Sequence, residues 1–470
     1  MLTCRHVLSA FGKETATSPD FNISSGTIDS RCSERESLFI ALKGENTDGH
    51  QFVDEAFKNG AVLALIDHPI ESAFPVVDLS VEKPSFPEKP PFSLLVPNAL
   101  EALQTLAAYW RKQFNLKVIG ITGSVGKSST KELIASVVSR RFTTLKSTGN
   151  MNNEIGLPLT LLSLNESYQV AVLEMGFYVP GEIKLLCDIA LPQIGVITNV
   201  GTVHAERAGS IEIIAKGKAE LVQSLPSAPE GVAILNYDDP LVREMAASTK
   251  ARVFYYGLSP EADLWADEIE SRGLEGIRLR IHYQQETLYL SAPMIGRHSA
   301  YTILRSAAVA LQLGISWDWI FHAFKTSKVQ LRIVGAKTAN GAMLIDDTYN
   351  ASPDSTLAAL NLLNDLDGRK VAVLGDMLEL GQYEEDGHRR VGLRASEIAD
   401  EMVLIGERSK LMREAALSNG FDPEKIHWFC NTMQATEYLQ SALQPGDVAL
   451  IKGSHGMHLE DIVAALEENK

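Results

Sequence analysis

The segment Val118-Ile-Gly-Ile-Thr-Gly-Ser-Val-Gly-Lys-Ser-Ser-Thr-Lys-Glu132 constrains the fold of this chain more than any other. A short apolar run enters a glycine-rich turn, and the turn ends in Lys127-Ser128 at the head of an expected helix. A loop of this kind aims backbone N–H groups and a helix N-terminus at a polyphosphate. Lys127 would then reach the outer phosphates, and the Ser128 hydroxyl would ligate Mg²⁺. The full phosphate-loop pattern places a glycine five residues before Gly126, where this chain has Ile121. What remains, Thr122-Gly123-x-x-Gly126-Lys127-Ser128, is a narrower variant, and the alternative reading is a structural turn.

From Lys117 onwards apolar strands alternate with helical segments: Val118–Ile121, Val170–Leu173, Ile194–Thr198 and Val232–Leu235. That alternation predicts a parallel, doubly wound sheet. Residues 277–290 alternate apolar and polar around a polar turn and read as a hairpin added to the same domain. A second α/β series begins near Gly341, with strands at Ala342–Ile345, Lys370–Leu374, Met402–Ile405 and Val448–Ile451. The prolines of the segment from Val81 to Pro91 forbid regular structure and mark a loop near a boundary. After it, Asn98 to Lys112 reads as a helix with Leu100, Leu103, Leu106, Ala107 and Trp110 on one face. A chain of 470 residues is too long for one core, and roughly three domains is the natural division. The expected fold class is α/β: a small N-terminal α/β domain over 1–95, a central phosphate-loop-type domain over 96–325, and a C-terminal Rossmann-like α/β domain over 326–470.

A net charge of −16 argues against nucleic acid or an anionic membrane as the main partner, since both require clustered basic charge. It leaves room for a local basic pocket that takes a phosphorylated substrate. The four cysteines, Cys4, Cys32, Cys187 and Cys430, are far apart and unpaired in spacing, which favours reduced thiols over disulfides or a zinc site. The first residues lack the apolar core of a signal peptide, and no apolar run approaches membrane-spanning length. A soluble, cytoplasmic protein is expected.

In sheets of this kind the site sits at the carboxyl ends of strands. Strand Val170–Leu173 ends in Glu174-Met-Gly176, and strand Ile194–Thr198 ends in Asn199-Val-Gly-Thr-Val-His204. A carboxylate and an imidazole following the phosphate loop in one domain can converge on the Mg²⁺ that accompanies ATP. The bland alternatives are a helix-capping or surface carboxylate for Glu174 and an exposed loop histidine for His204.

These segments resemble the ATP-dependent Mur ligases of bacterial cell-wall synthesis, and the resemblance runs through nearly the entire chain. The family's ATP loop is similar to Thr122-Gly-Ser-Val-Gly-Lys-Ser-Ser129, its acidic strand end to Leu173-Glu-Met-Gly176, and its Asn…His segment to Thr198-Asn-Val-Gly-Thr-Val-His204. The helix Gly209-Ser-Ile-Glu-Ile-Ile-Ala-Lys-Gly-Lys-Ala-Glu220 matches the stretch holding a lysine often carbamylated in the family, here Lys218. The segment Asp29–Gly44, followed by Asp48-Gly-His-Gln-Phe52, is similar to the domain that grips the UDP-sugar. In the last domain, Asp346-Asp-Thr-Tyr-Asn-Ala-Ser-Pro353 and Leu374-Gly-Asp-Met-Leu-Glu-Leu-Gly381 resemble the member that joins D-alanyl-D-alanine to UDP-N-acetylmuramoyl-tripeptide. Segments of the Asp-Tyr-Ala-His and Asp-Asn-Pro type, which mark the member adding the third residue, do not occur. The segment Lys452–Glu460 agrees, with His455 where an arginine is usual.

The resemblance implies that Lys127, Glu174, His204 and Lys218 are catalytic, with ATP and Mg²⁺ as cofactors. Ser128 and Glu174 would hold a first Mg²⁺, and Glu174, His204 and a carbamate on Lys218 a second. Thr122, Gly123, Ser124, Gly126, Lys127, Ser128, Ser129 and His298 would face ATP from the central domain, while Arg332 on the phosphates and Asp347 on the ribose close from the last one. Ser30, Arg31, Asp48, His50, Asn152, Asn153, Asn199, Tyr349, Asn350 and Asp376 would contact the two other substrates, UDP-N-acetylmuramoyl-tripeptide and D-alanyl-D-alanine. A monomer without nucleic acid or membrane contacts is expected. Read without the resemblance, Lys218 is a lysine on a solvated helix face, Arg332 a surface residue, Ser30, Arg31 and Asp347 turn-formers and Tyr349 a packed aromatic.

Two departures stand out. The family pattern Gly-x-His-Asn-x-x-Asn is here Gly296-Arg-His-Ser-Ala-Tyr-Thr302, with both asparagines replaced by hydroxyl residues. The loop carries Ser128-Ser129 where threonines are common. Three other functions share parts of this pattern. A sister ligase adding one amino acid and a folate polyglutamylating enzyme share the ATP chemistry, but the last-domain motifs exclude the first, and they and the Asp29–Phe52 segment exclude the second. A nucleotide switch without catalysis would have no need of a second metal site.

Overall fold

The computed structural model describes residues 1–44, 46–203, 205–326, 334–338 and 340–467, and within them three large sheets follow one another along the chain, beside a two-stranded antiparallel pairing of Leu2–Thr3 with Asn22–Ile23. The first has five parallel strands in the spatial order Gly26–Thr27, Ser37–Ile40, Ala61–Ile66, Phe92–Leu95, Val76–Asp78. The proline-rich segment is a loop, and it returns the chain to an interior strand of this sheet rather than leaving it. Helix Ala99–Arg111 follows, with the Asn98 carboxamide oxygen accepting the Glu101 N–H at 3.0 Å. Leu103, Leu106, Ala107 and Trp110 are buried on one face of this helix. One apolar cluster runs from Leu38, Leu63 and Leu94 of the first sheet through this face to Ala171 and Leu173 of the second, so the first two units share a core.

The central sheet has nine strands in the order Glu286–Ala292, Ile277–Tyr283, Leu264–Ser271, Arg252–Gly257, Val232–Asn236, Ile194–Ile197, Lys117–Thr122, Val170–Glu174, Thr144–Lys146. From Leu264–Ser271 to the last edge every pair is parallel; the expected hairpin, at 277–283 and 286–292, adds the antiparallel edge. Successive strand residues feed opposite faces, as the pleat requires. Val118, Ala171 and Leu173 face the cluster shared with the first sheet, while Ile119, Val170 and Val172 face helices Lys127–Val138, Ser299–Gln312 and Trp317–Thr326. The sheet is thereby covered on both sides. Lys117–Thr122 lies between Val170–Glu174 and Ile194–Ile197, so the strand order reverses there and a crevice opens at the carboxyl ends.

The third sheet has six strands in the order Val334–Lys337, Met343–Asp346, Val448–Lys452, Lys370–Gly375, Glu401–Ile405, Ile426–Phe429, parallel except for the first. Helices Pro353–Asn364, Glu384–Ile398 and Lys410–Ser418 cover one face, and Thr432–Ala442 and Glu460–Leu466 the other. Its segment Glu379–Tyr383 docks on the central domain: the Glu379 carbonyl accepts the Glu206 N–H at 3.2 Å, and the Gln382 amide donates to the Gly209 carbonyl at 3.2 Å.

Candidate active site

The turn after strand Lys117–Thr122 is held by the end of the neighbouring strand. Ser124 N–H donates to the Asn199 carbonyl at 3.0 Å, Val125 N–H to the Asn199 side chain at 2.8 Å, and the Thr198 hydroxyl to the Val125 carbonyl at 2.8 Å. Ser124 Oγ closes the strap by accepting the Gly201 N–H at 2.8 Å. Two glycines are obligatory here. At Gly123, with φ +144°, an added Cβ would lie 1.8 Å from Thr198 Oγ1, and at Gly126, with φ +82°, 2.7 Å from an Arg305 nitrogen. Helix Lys127–Val138 starts immediately afterwards, and the Lys127 ammonium lies over the loop, donating to the Gly123 carbonyl at 2.7 Å and the Ser124 carbonyl at 3.2 Å. Thr122 is sealed beneath the turn, and Asn199 is a strut of the loop.

Glu174 ends its strand 2% exposed. One of its oxygens accepts from the Ser128 hydroxyl at 2.7 Å, and the other from the Asn152 amide at 3.0 Å. The Lys131 ammonium, one helical turn beyond Lys127, is buried 4.0 Å from the same carboxylate and 3.3 Å from Glu132. A hydroxyl and a carboxylate meeting at the head of a phosphate loop are hard oxygen donors suited to Mg²⁺. Asn153 lies one residue off this contact, its side chain accepting the Gly156 N–H at 2.8 Å ahead of helix Gly156–Leu162.

Lys218 sits on helix Ile211–Gln223, which Ser210 caps, and it is 1% exposed. Its ammonium lies 4.9 Å from the centroid of the Phe177 ring, and Gly217 makes room for that ring. Burial, with Lys127 nearby, pulls the amine well below its usual pKa, so the surroundings favour the neutral form. The alternative reading, a lysine on a solvated helix face, is therefore not what the fold provides. His204 and Arg332 lie outside the described residues.

The crevice continues between the central and last domains as a cleft of about 970 Å³. Ser124, Gly126, Lys127, Ser128, Ser129, Asn152, Glu174, Asn199 and His298 line it from one side, and Asp347, Tyr349, Asn350 and Lys452 from the other. Asp347 pairs at 2.6 Å with Lys452, which is 2% exposed and donates also to the Asn350 carbonyl at 2.8 Å. The N-terminus of helix Pro353–Asn364, capped by Ser352, opens into the same cleft. His298 faces Asp347 across it; desolvation holds the imidazole pKa below its ordinary value, against the pull of that carboxylate. Tyr349 is exposed in the cleft wall, while Asp376 does not border it: the carboxylate is buried, accepts the Ser409 N–H at 2.7 Å and is pushed up in pKa by burial.

The N-terminal candidates gather elsewhere, at the carboxyl ends of three parallel strands of the first sheet. Asp29 caps the turn Ser30–Cys32 and takes Arg31 in a forked pair, with Arg31 Nη2 to Oδ2 at 2.7 Å. Asp48 accepts from His50 Nδ1 at 2.7 Å, while His50 Nε2 accepts the Asp67 N–H at 3.1 Å. Both ring nitrogens are thus committed, which makes His50 a buried strut. Asp48, His50 and His68 are close enough to hold an ion, but His50 has no lone pair left for one. None of these residues borders the large cleft.

Arg305, Lys131 and Lys452 also belong to the site, with no individual sequence signal for a role there. Lys131 follows Lys127 by one helical turn, which could have signalled a shared face; the other two act across long sequence separations that no local pattern encodes.

The chain matches three family models: "Mur ligase family, catalytic domain" over 22–111, "Mur ligase middle domain" over 121–310 and "Mur ligase, glutamate ligase domain" over 331–455. A relative from Synechocystis named UDP-N-acetylmuramoyl-tripeptide–D-alanyl-D-alanine ligase is 36% identical over 96% of this chain and 94% of its own. The crystal structure of MurF from Acinetobacter baumannii superposes with a TM-score of 0.85 at 31% identity, covering 99% of this chain and 98% of that one. MurF ligase from Thermotoga maritima in complex with ADP matches with a TM-score of 0.79 at 26% identity, over 94% of this chain and 96% of that one.

Proposed function

The chain belongs to the Mur ligase family, and from that premise we propose that it joins D-alanyl-D-alanine to UDP-N-acetylmuramoyl-tripeptide at the expense of ATP, a step of peptidoglycan assembly. The names of its relatives support this reading, as do the last-domain segments Asp346–Pro353 and Leu374–Gly381. The observation that carries it is the cleft itself, where a phosphate loop, a buried carboxylate and the wall of a second α/β domain meet.

In this reading the tripeptide carboxylate attacks the γ-phosphorus of ATP, the bond to ADP breaks, and an acyl phosphate forms. The amine of D-alanyl-D-alanine then attacks the acyl carbon, loses a proton, and phosphate leaves with one of the original carboxylate oxygens. An oxide is a very poor leaving group, so without phosphorylation the carboxylate would not react. Lys127 and the loop N–H groups neutralise the charge that builds on the phosphoryl oxygens. Ser128 and Glu174 would hold Mg²⁺, which supplies further charge neutralisation when bound. Lys218, with His204, would complete a second site. Asn199 and Thr198 keep the loop in shape, and Asp347, fixed by Lys452, is aimed at the ribose. The groups come from two domains, so the cleft must be assembled around ATP before turnover. The N-terminal group around Ser30, Arg31 and Asp48, with His50 as the strut that holds Asp48, would receive the UDP end. A cytoplasmic monomer suits substrates that are all soluble.

The test is a coupled ADP-release assay with purified protein, offering UDP-N-acetylmuramoyl-tripeptide with D-alanyl-D-alanine or with single amino acids. Release that requires tripeptide and dipeptide together is expected. Release with a lone amino acid and none with the dipeptide would overturn the assignment.

A further inference from the structure

We propose that Arg305 is an additional nucleotide-binding residue, placing a fixed positive charge behind the phosphate loop where the polyphosphate of the nucleotide is received. The proposal deepens the reading above and rests on it.

Arg305 lies in the middle of helix Ser299–Gln312 and is only 6% exposed, yet it lines the cleft. Its Nη2 donates to the Thr302 hydroxyl at 2.7 Å, and the same nitrogen lies 2.7 Å from where a Cβ on Gly126 would stand. The guanidinium is therefore pressed against the glycine that begins the phosphate-loop helix. Its Nε has no hydrogen-bond partner, the Tyr256 hydroxyl beside the guanidinium is a further neutral acceptor, and among the described residues none of its nitrogens pairs with a carboxylate.

A second buried arginine shows what a purely structural role looks like. Arg111 donates to the carbonyls of Ala190 at 2.9 Å, Phe114 at 2.9 Å and Leu116 at 3.3 Å, so its hydrogen-bonding capacity is spent on the backbone. Arg305 is buried to a similar degree without that satisfaction. Burying a cation with neither counter-charge nor full hydrogen bonding is costly, and such charges persist where a partner compensates them. The loop beside Arg305 presents backbone N–H groups and a helix N-terminus, both of which select an anion. A planar guanidinium suits phosphate oxygens as it suits carboxylates, and its place against the phosphate loop favours the phosphate.

The hydroxyl at Thr302 gains a meaning from this arrangement. It stands where the family pattern has an asparagine, and here it accepts from Arg305 and so aims the guanidinium at the loop.

Calorimetric binding of Mg·ADP and of adenosine to the full chain and to Arg305→Met tests the proposal. Expected for the variant are an ADP affinity lower by about tenfold or more, the size of one charge-assisted contact, adenosine affinity within about twofold of the parent, and a shallower salt dependence of ADP binding. Arg305→Lys should recover part of the loss. Arg305→Gln, polar and close in shape, serves as a second neutral variant judged on the same ratio. ADP and adenosine weakening alike, or ADP binding unchanged, would overturn the proposal, as would loss of the fold by both neutral variants, which would make the residue structural. Failure of the parent chain itself to bind ADP would instead overturn the functional reading, and this proposal with it.

Discussion

The Ser128 hydroxyl donates to a carboxylate oxygen of Glu174 at 2.7 Å, across 46 residues of sequence. The contact joins the first turn of the phosphate-loop helix to the end of the adjacent strand, and the Asn152 amide fixes the other carboxylate oxygen from the far side. The carboxylate is thus oriented by two neutral donors, with the buried Lys131 ammonium 4.0 Å away, and presents its charge to a cation at the head of the loop. Glu174→Gln, equal in shape, should lower kcat by about 10²–10³ and raise the Mg²⁺ concentration needed for half-maximal turnover. Ser128→Ala should cost about tenfold in the same Mg²⁺ titration. Unchanged Mg²⁺ dependence in both variants would remove Glu174 from the metal site.

Lys218 is buried with its amine biased towards the neutral form. A neutral amine adds CO₂, losing one proton and becoming an anionic carbamate, whereas an ammonium cannot. Activity of protein purified and assayed in CO₂-free buffer should rise on adding bicarbonate, and Lys218→Ala should be rescued by a short carboxylic acid. Turnover indifferent to CO₂, together with an unmodified Lys218 in carbon-13 spectra under bicarbonate, would contradict this.

Asp347 and Lys452 form a pair whose lysine is 2% exposed. Removing one partner strands a buried charge, so Asp347→Asn should destabilise the last domain by about 2–4 kcal/mol. Asp347→Asn combined with Lys452→Met should be less destabilised than the single variant, as a denaturant double-mutant cycle would reveal. Strict additivity would mean that the two residues do not act as a pair.

Asp267 carries the pH dependence that is simplest to read. Hydrogen bonding to Arg280, at 2.7 Å from each of two nitrogens, and then to His282, at 3.0 Å, lowers its pKa from 3.8 to about 2. A carboxyl with a depressed folded-state pKa contributes stability above its unfolded pKa and loses it as pH falls through the folded one. Its side chain is 35% exposed, so after solvent screening Asp267→Asn should cost about 1 kcal/mol at neutral pH. The gap between the two proteins should narrow from pH 3.8 downwards and close near pH 2. A constant gap across that range would show that the charge contributes nothing.

Much of this molecule was legible in the chain because its punctuation is local. The Gly123–Ser128 turn, the acidic end of strand Val170–Glu174, the helix begun by Asn98 and the hairpin after Gly276 each carry their cause within a few residues. Strands Arg252–Gly257 and Leu264–Ser271 were missed because aromatic, acidic and irregular positions interrupt their alternation, including a bulge between Asp267 and Glu270. The site was legible where chemistry follows position along a strand and illegible where it depends on a distant partner. Nothing near Asp347 announces Lys452, and nothing near Gly126 announces Arg305. Charge and polarity also mislead when a fold absorbs them: His50 and Asp376 read as substrate contacts, yet both are buried and have their hydrogen bonds met within the protein.

The central claim is that γ-phosphoryl transfer activates the tripeptide carboxylate before the amide forms. Tripeptide carrying ¹⁸O in its terminal carboxylate, turned over with ATP and D-alanyl-D-alanine, tests it directly through the mass of the released phosphate. Transfer of one labelled oxygen into inorganic phosphate, with the other retained in the new amide, is the predicted result; phosphate free of label would contradict it.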